Sequence, residues 1–140
     1  MIVSRTPLRI SFSGGGTDFY EHYSRYGGAV LSTAINKYVY ITVNKSFDDR
    51  IRISYSKTEI TYDVEKIQHP IVREALKLTG ITKGVEITSI ADVPGGTGLG
   101  SSSSFTVGLL NALFAFKSRM RSAHKLEEEA CHIEIDLLKE

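Results

Sequence analysis

Residues 94–105 read PGGTGLGSSSSF, and the eleven that follow, TVGLLNALFAF, are apolar but for Thr106 and Asn111. No other stretch limits the fold as tightly. A segment that only had to turn could use one glycine, because each further one loses backbone freedom on folding that alanine would not. Here four glycines and four serines stand directly ahead of an apolar run. That run, Phe105 to Phe116, is 12 residues long, well short of the roughly 20 that cross a bilayer as a helix. It therefore reads as a buried helix of a soluble domain. Glycines at 95, 96, 98 and 100 leave backbone N–H groups bare, and a helix start behind them adds about half a positive charge. Ser101 to Ser104 bring hydroxyls to the same point, one to cap the helix and another to face a ligand or metal. Charge-assisted hydrogen bonds of this kind contribute about 1.5–3 kcal/mol each, so three or four would hold a triphosphate without net basic charge. The competing reading is a flexible connector capped by serine. A strand on one side and an apolar helix on the other leave little room for slack.

Neither familiar phosphate loop fits these letters. Walker A requires GxxxxGK[ST]; Gly95 and Gly100 have the spacing, but Ser101 stands where the lysine belongs. The dinucleotide fingerprint GxGxxG, begun at Gly96 or Gly98, meets Ser101 or Ser103 at its third glycine.

Around this loop the chain reads as strands first, then helices. Residues 2–13 alternate in part, with Leu8, Ile10 and Phe12 on one side and Arg9 and Ser11 on the other, the period of a half-buried strand. Gly14, Gly15 and Gly16 end it, and Thr17 and Asp18 open a short helical piece that runs to about Tyr26. Residues 29–43 are rich in Val, Ile, Thr and Tyr and predict one or two strands, interrupted near Asn36 and Lys37. Shorter strands are expected at 51–55 and 59–62, and another at 85–90. A helix begins at Pro70, with Ile71, Ala75 and Leu78 on one face and Gly80 as its stop. A helix from about Ser102 to Lys117 follows the glycine loop. The last helix starts at Ser122 or Ala123, with Leu126, Ala130, Ile133 and Leu137 recurring at helical steps and Cys131 in the core beside Ile133. The fold class this order implies is α+β.

Composition closes other possibilities. Seventeen basic against 16 acidic residues give +1, so no global charge draws the chain to nucleic acid or to a membrane surface. One cysteine, no CxxC pair and no histidine cluster at zinc spacing fit a reducing cytoplasm. The amino terminus lacks the apolar segment of a signal peptide.

The segment PxxxGLGSS, here Pro94 to Ser102, together with RTPLRISFSGGGTDF at residues 5–19, resembles the kinases of the galactose, homoserine, mevalonate and phosphomevalonate (GHMP) superfamily. Within it GGGTD, STAINKYVYITVN, YSKTE, IQHPIVREALKL and EEACHIEIDLL look like the heptose 7-phosphate kinase branch, and the likeness runs through essentially all 140 residues. The resemblance implies a ribosomal protein S5 domain 2-like amino-terminal domain, a mixed or antiparallel sheet packed on helices with a left-handed βαβ crossover. It implies transfer of the γ-phosphoryl of ATP, with Mg²⁺, to the anomeric hydroxyl of a heptose 7-phosphate, for nucleotide-activated heptose and surface glycans. Pro94, Gly96, Thr97, Gly98, Leu99, Gly100, Ser101, Ser102 and Ser103 are the implied ATP-binding residues. Ser102 and Glu134 are the implied metal ligands, with Ser101 and Glu129 as their rivals. Gly15, Thr17 and Asp18 are the implied sugar-binding residues; by its own letters Asp18 can instead be an N-cap or turn residue after Gly16. Arg9 is implied beside the transferred phosphoryl, or else is an exposed strand residue. His22, His69, His124 and His132 are scattered and carry no motif.

By the same resemblance, residues 1–140 correspond to an incomplete amino-terminal domain. The aspartate that serves as base, a third glycine-rich motif and a carboxy-terminal domain are expected beyond residue 140, so the fragment alone is expected to be inactive. Its strand edges leave room for a homodimer. Two alternatives stay open: another sugar such as L-fucose, and a non-catalytic nucleotide-binding or regulatory module.

Overall fold

The computed structural model describes residues 1–17 and 19–138. Five strands form one sheet in the order β1-β2-β5-β3-β4. They are β1 (Ile2–Ser13), β2 (Leu31–Lys45), β3 (Ile51–Ser54), β4 (Thr58–Thr61) and β5 (Val85–Ala91). Neighbours run antiparallel except β3 and β5, which are parallel and are joined through β4 and the helix α2 (Pro70–Thr79). The α+β class and its mixed sheet are thus as the sequence implies.

Alternation decides which face is covered. Val39, Ile41 and Val43 of β2, Val85 and Ile87 of β5 and Ile51 and Ile53 of β3 all point inward and are buried. Against them lie α2 and α3 (Ser101–Phe116), and α4 (Ala123–Cys131) packs on α3. The opposite face carries the cross-strand row Arg5, Tyr40 and Ile90 and is open. The sixteen-residue α3 is apolar nearly all round, as a central helix must be. Among the described residues no helix is long and apolar enough to cross a membrane.

Helix α3 meets β1 across a polar seam. The Ser4 hydroxyl donates to the carbonyl of Gly108 at 2.7 Å and Ser104 donates to that of Pro7 at 3.0 Å. Gly108 allows this approach, since a Cβ there would lie 2.6 Å from Thr6 Oγ1.

Several expectations need correction. Residues 31–45 form one strand, and the interruption near Asn36 and Lys37 is a bulge: Pro7 pairs with Tyr38 and Arg9 with Ala34, so three residues of β2 face Leu8. Leu8 is buried, but Ile10 and Phe12 are exposed, because beyond Pro7 the β1–β2 hairpin extends past the end of β5. The short helix α1 (Tyr20–Tyr26) starts later than Thr17 and buries no residue. In α2 the inward face is Ile71, Val72, Ala75 and Leu76, leaving Leu78 exposed; Gly80 ends it in the left-handed conformation, as expected.

The last helix also departs from the plain α periodicity. After Cys131 the chain runs as a π-helix over His132–Leu137, in which each N–H reaches back five residues rather than four. Leu138 donates to the carbonyl of Ile133 at 3.0 Å and takes the inward place that a four-residue step assigns to Leu137, which is exposed. Cys131 likewise is exposed, not in the core beside the buried Ile133.

Candidate phosphate-loop site

Strand β5 stops at Ala91, and Asp92 ties the start of the loop to β2: its carboxylate accepts from the Tyr38 N–H at 2.8 Å and its own N–H donates to the Tyr38 carbonyl at 3.0 Å. Pro94 follows, and Gly96, Gly98 and Gly100 then all adopt positive φ, at 79°, 72° and 73°, a region open to glycine at little cost. Gly100 is the N-cap of α3 and its carbonyl accepts the Ser104 N–H at 3.0 Å. Among the described residues, none of the backbone N–H groups from Gly95 to Ser103 donates to a protein acceptor. Successive amides left without protein acceptors at a helix start suit an anion. The carbonyls of Gly98 and Leu99 are by contrast occupied: Arg9 donates its guanidinium Nη1 to the first at 2.8 Å and its backbone N–H to the second at 3.0 Å.

The four serines divide by position on the first turn of α3. Ser104 is buried and spent on β1, while Ser102 and Ser103 are exposed and Ser101 is half-buried. Ser103 donates to Glu134 Oε2 at 3.1 Å, and Thr106 Oγ1 lies 2.6 Å from Glu134 Oε1 and 3.0 Å from the Ser102 carbonyl. Thr106, wholly buried, therefore links the turn that bears Ser102 to the carboxylate on the π-helix. Leu126, Ala130 and Ile133 seat this last helix and bring Glu134 over α3. Its rival Glu129 turns elsewhere, with Oε1 3.7 Å from Arg121 Nε. A carboxylate held by the Ser103 and Thr106 hydroxyls against the turn that bears Ser102 offers, with the Ser102 hydroxyl, oxygen donors of the kind a hard cation such as Mg²⁺ takes.

Beside the loop, between α2 and α3, lies a cavity of about 250 Å³ walled by Val39, His69, Ile71, Ser101, Ser102 and Phe105. The His69 ring stacks on Phe105 with centroids 5.1 Å apart and 22° between planes, and meets Tyr55 edge-on at 4.8 Å. Glu59 holds this wall: its Oε1 accepts from the Tyr55 hydroxyl at 2.7 Å and its Oε2 from the Gln68 N–H at 2.7 Å. Burial works to raise the Glu59 pKa, yet the bonds from Tyr55 and from the Gln68 and His69 backbones outweigh it and leave the carboxyl below its ordinary value. Sequence reasoning set His69 aside. Its usable signal was the following Pro70, which forces His69 into extended backbone at the start of α2.

The glycine turn from Gly14 to Thr17 closes on itself. Thr17 Oγ1 lies 2.8 Å from the Gly14 carbonyl and 3.0 Å from that of Ala29, and accepts the Ala29 N–H at 3.1 Å. Its hydroxyl is thus occupied within the chain, whereas Gly15 has open space around its Cα. Asp18, the expected sugar contact, lies outside the described residues. Of the other cations, Arg5 stacks over Tyr38 at 4.7 Å on the open sheet face, and Arg73 bonds Glu74 and the Ile67 carbonyl.

Comparison with known proteins agrees with this arrangement. Residues 64–139 match the family model described as GHMP kinases N terminal domain. A D-glycero-alpha-D-manno-heptose 7-phosphate kinase of Campylobacter jejuni is 28% identical over 95% of this chain and 43% of its own length. A mevalonate kinase of Archaeoglobus fulgidus is 32% identical over 85% of this chain and 42% of its own. Among solved structures, a D-glycero-D-manno-heptose 1-phosphate kinase from Bacteroides thetaiotaomicron superposes with a TM-score of 0.85 at 26% identity, covering 99% of this chain and 49% of that one. The chain therefore spans less than half the length of these relatives.

Proposed function

The chain belongs to the GHMP kinase family, and from that premise we propose that it forms the nucleotide-holding part of an ATP-dependent kinase whose acceptor is the anomeric hydroxyl of a heptose 7-phosphate. The observation that carries this is that the backbone N–H groups from Gly95 to Ser103, at the start of a buried helix, find no protein acceptor among the described residues. Gly96, Thr97, Gly98, Leu99, Gly100 and Ser101 would receive the phosphate oxygens through these amides, with Pro94 fixing the approach and Ser102 adding its hydroxyl, while Ser103, whose hydroxyl is spent on Glu134, would add its N–H. The cavity beside the loop, with its His69–Phe105 stack, is where a flat base would lie.

Ser102 and Glu134 would hold Mg²⁺, and when bound the ion supplies positive charge that offsets the phosphate oxygens. Thr106 and Ser103 keep Glu134 turned toward it. The phosphoryl group passes to the sugar oxygen, which gives up its proton, and ADP and a sugar 1,7-bisphosphate result. Gly15 and Asp18 are proposed to meet the sugar, and Thr17 to keep that loop closed. Arg9 stands beside Gly98 with guanidinium donors that meet no acceptor among the described residues.

The heptose reading rests on the 95% of this chain that aligns with the Campylobacter jejuni enzyme. The Archaeoglobus fulgidus relative supports mevalonate as the second acceptor to be tried, and an L-fucokinase/L-fucose-1-P guanylyltransferase of Bacteroides fragilis, 31% identical, supports L-fucose. The test has two stages. Titration calorimetry of the purified chain with ATP, with and without Mg²⁺, should give Mg²⁺-dependent binding that Ser102→Ala weakens. Phosphate transfer by the product of the full reading frame to D-glycero-D-manno-heptose 7-phosphate, mevalonate and L-fucose then assigns the acceptor; transfer to mevalonate alone would overturn the heptose reading.

A further inference from the structure

Arg9 grips the glycine loop from both ends of the residue. Its backbone N–H donates to the Leu99 carbonyl at 3.0 Å, and its Nη1 donates to the Gly98 carbonyl at 2.8 Å. The side chain between them lies across Gly100, where a Cβ would meet Arg9 Cζ at 3.2 Å and Cγ at 3.3 Å. A side chain at Gly100 would thus press the Arg9 side chain aside, and the φ of 73° separately favours glycine there.

The two carbonyls belong to successive peptide units, Gly98–Leu99 and Leu99–Gly100, and no peptide bond here is cis. In a trans unit the C=O and N–H point in opposite directions across one plane. Drawing both carbonyls toward β1 therefore turns the N–H groups of Leu99 and Gly100 away from it, onto the side where neither finds an acceptor among the described residues. A flip of either unit would put a carbonyl oxygen where an anion is to sit, and Arg9 is the residue that opposes that flip.

We propose that Arg9 is a positioning residue for the phosphate loop, setting the direction of the Leu99 and Gly100 amides before any ligand arrives. This rests on the nucleotide reading above and adds to it a task that Arg9 performs in the free chain, distinct from a contact with the transferred phosphoryl. A lysine could reach one carbonyl but lacks the flat fork that covers Gly100 while donating to Gly98.

The test uses ¹⁵N-labelled chain and two variants, Arg9→Met, which keeps the backbone N–H and the aliphatic cover but removes the side-chain donors, and Arg9→Lys. In free Arg9→Met the amide resonances of residues 98–101 are expected to shift or broaden while those of β2 and β5 stay in place, the latter showing that the fold is intact. Affinity for inorganic triphosphate by calorimetry should fall roughly tenfold or more in Arg9→Met and less in Arg9→Lys. Loop resonances that stay unchanged in Arg9→Met overturn the positioning role, and if affinity is nonetheless lost the guanidinium touches the anion directly. Should the unaltered chain bind no triphosphate, the nucleotide reading fails, and the loop resonances of the free variants still decide the role of Arg9.

Discussion

Thr106→Val should loosen both the fold and the metal site. Valine copies the shape of threonine, so the change removes a hydroxyl from a fully buried position without opening a cavity. That hydroxyl has one proton and two acceptors, Glu134 Oε1 at 2.6 Å and the Ser102 carbonyl at 3.0 Å. The shorter contact to the carboxylate takes the proton, as charge-assisted O–H···O⁻ bonds do. Losing a bond to a charged group costs about 1.5–3 kcal/mol. Glu134 is half-buried and keeps its bond from Ser103 at 3.1 Å, which places the loss at the lower end, about 1–2 kcal/mol. For a domain of this size that is roughly a 3–8 °C fall in melting temperature. Groups that orient a metal ligand typically matter by about 10–100-fold in metal affinity, so the Mg²⁺ concentration at half-maximal ATP binding should rise by about tenfold. Thr106→Ser restores the hydroxyl and should recover most of both effects. Calorimetric melting and Mg²⁺ titrations of the three proteins provide the check. A valine variant that melts within about 1 °C of the parent, less than half the smallest shift expected, and needs no more Mg²⁺, would refute the link from Thr106 to Glu134.

Further outcomes follow from local geometry. Gly14→Ala places a Cβ 1.9 Å from the Ala29 carbonyl oxygen at a φ of 84°, and should lower stability in urea by more than about 2 kcal/mol; Gly15→Ala, in open space, should change it by less than about 0.5 kcal/mol. Because the folded pKa of Glu59 is depressed, its contribution is present above the ordinary carboxylate value of about 4.3 and disappears as pH falls through and below it. The melting-temperature advantage of the parent over Glu59→Gln should shrink between pH 7 and about 3, and a constant difference would contradict this. Burial, followed by the nearby carboxylates of Glu127, Glu134 and Asp136, pushes the Cys131 thiol up. Cys131 should thus react with disulfide reagents at neutral pH more slowly than a free cysteine, despite its exposure; an equal or faster rate would count against that.

What could be read from the letters was what depends on neighbours in sequence. Glycines before serines before an apolar run located the loop and placed the start of α3 within one residue of Ser101. Pro70 and Gly80 bracketed α2 correctly, since one presets helical φ and the other adopts the left-handed stop. Failures arose where distant parts decide. Ile10 and Phe12 keep the strand period of Leu8 but lie past the end of β5, so nothing covers them. Leu137 obeys a four-residue step that the π-helix replaces with five. The Glu134 contacts with Thr106 and Ser103 are also invisible from spacing alone, because they join residues 28 and 31 positions apart. Glu134 was singled out by family resemblance, and Thr106 was not.

The seam between β1 and α3 also bears on synthesis of the chain. Ser4 and Gly108 are 104 positions apart, so at roughly 5–20 residues per second a ribosome delivers the helix about 5–20 seconds after the strand. Once β2 has followed, the first hairpin lacks this cover until α3 is made. Beside the aliphatic Leu8, Val39, Ile41 and Val43 of the same face, the hydroxyls of Ser4 and Thr6 can be hydrated meanwhile. The seam that the Ser4 hydroxyl bonds in the finished domain is thereby a polar strip along the uncovered face of the unfinished one.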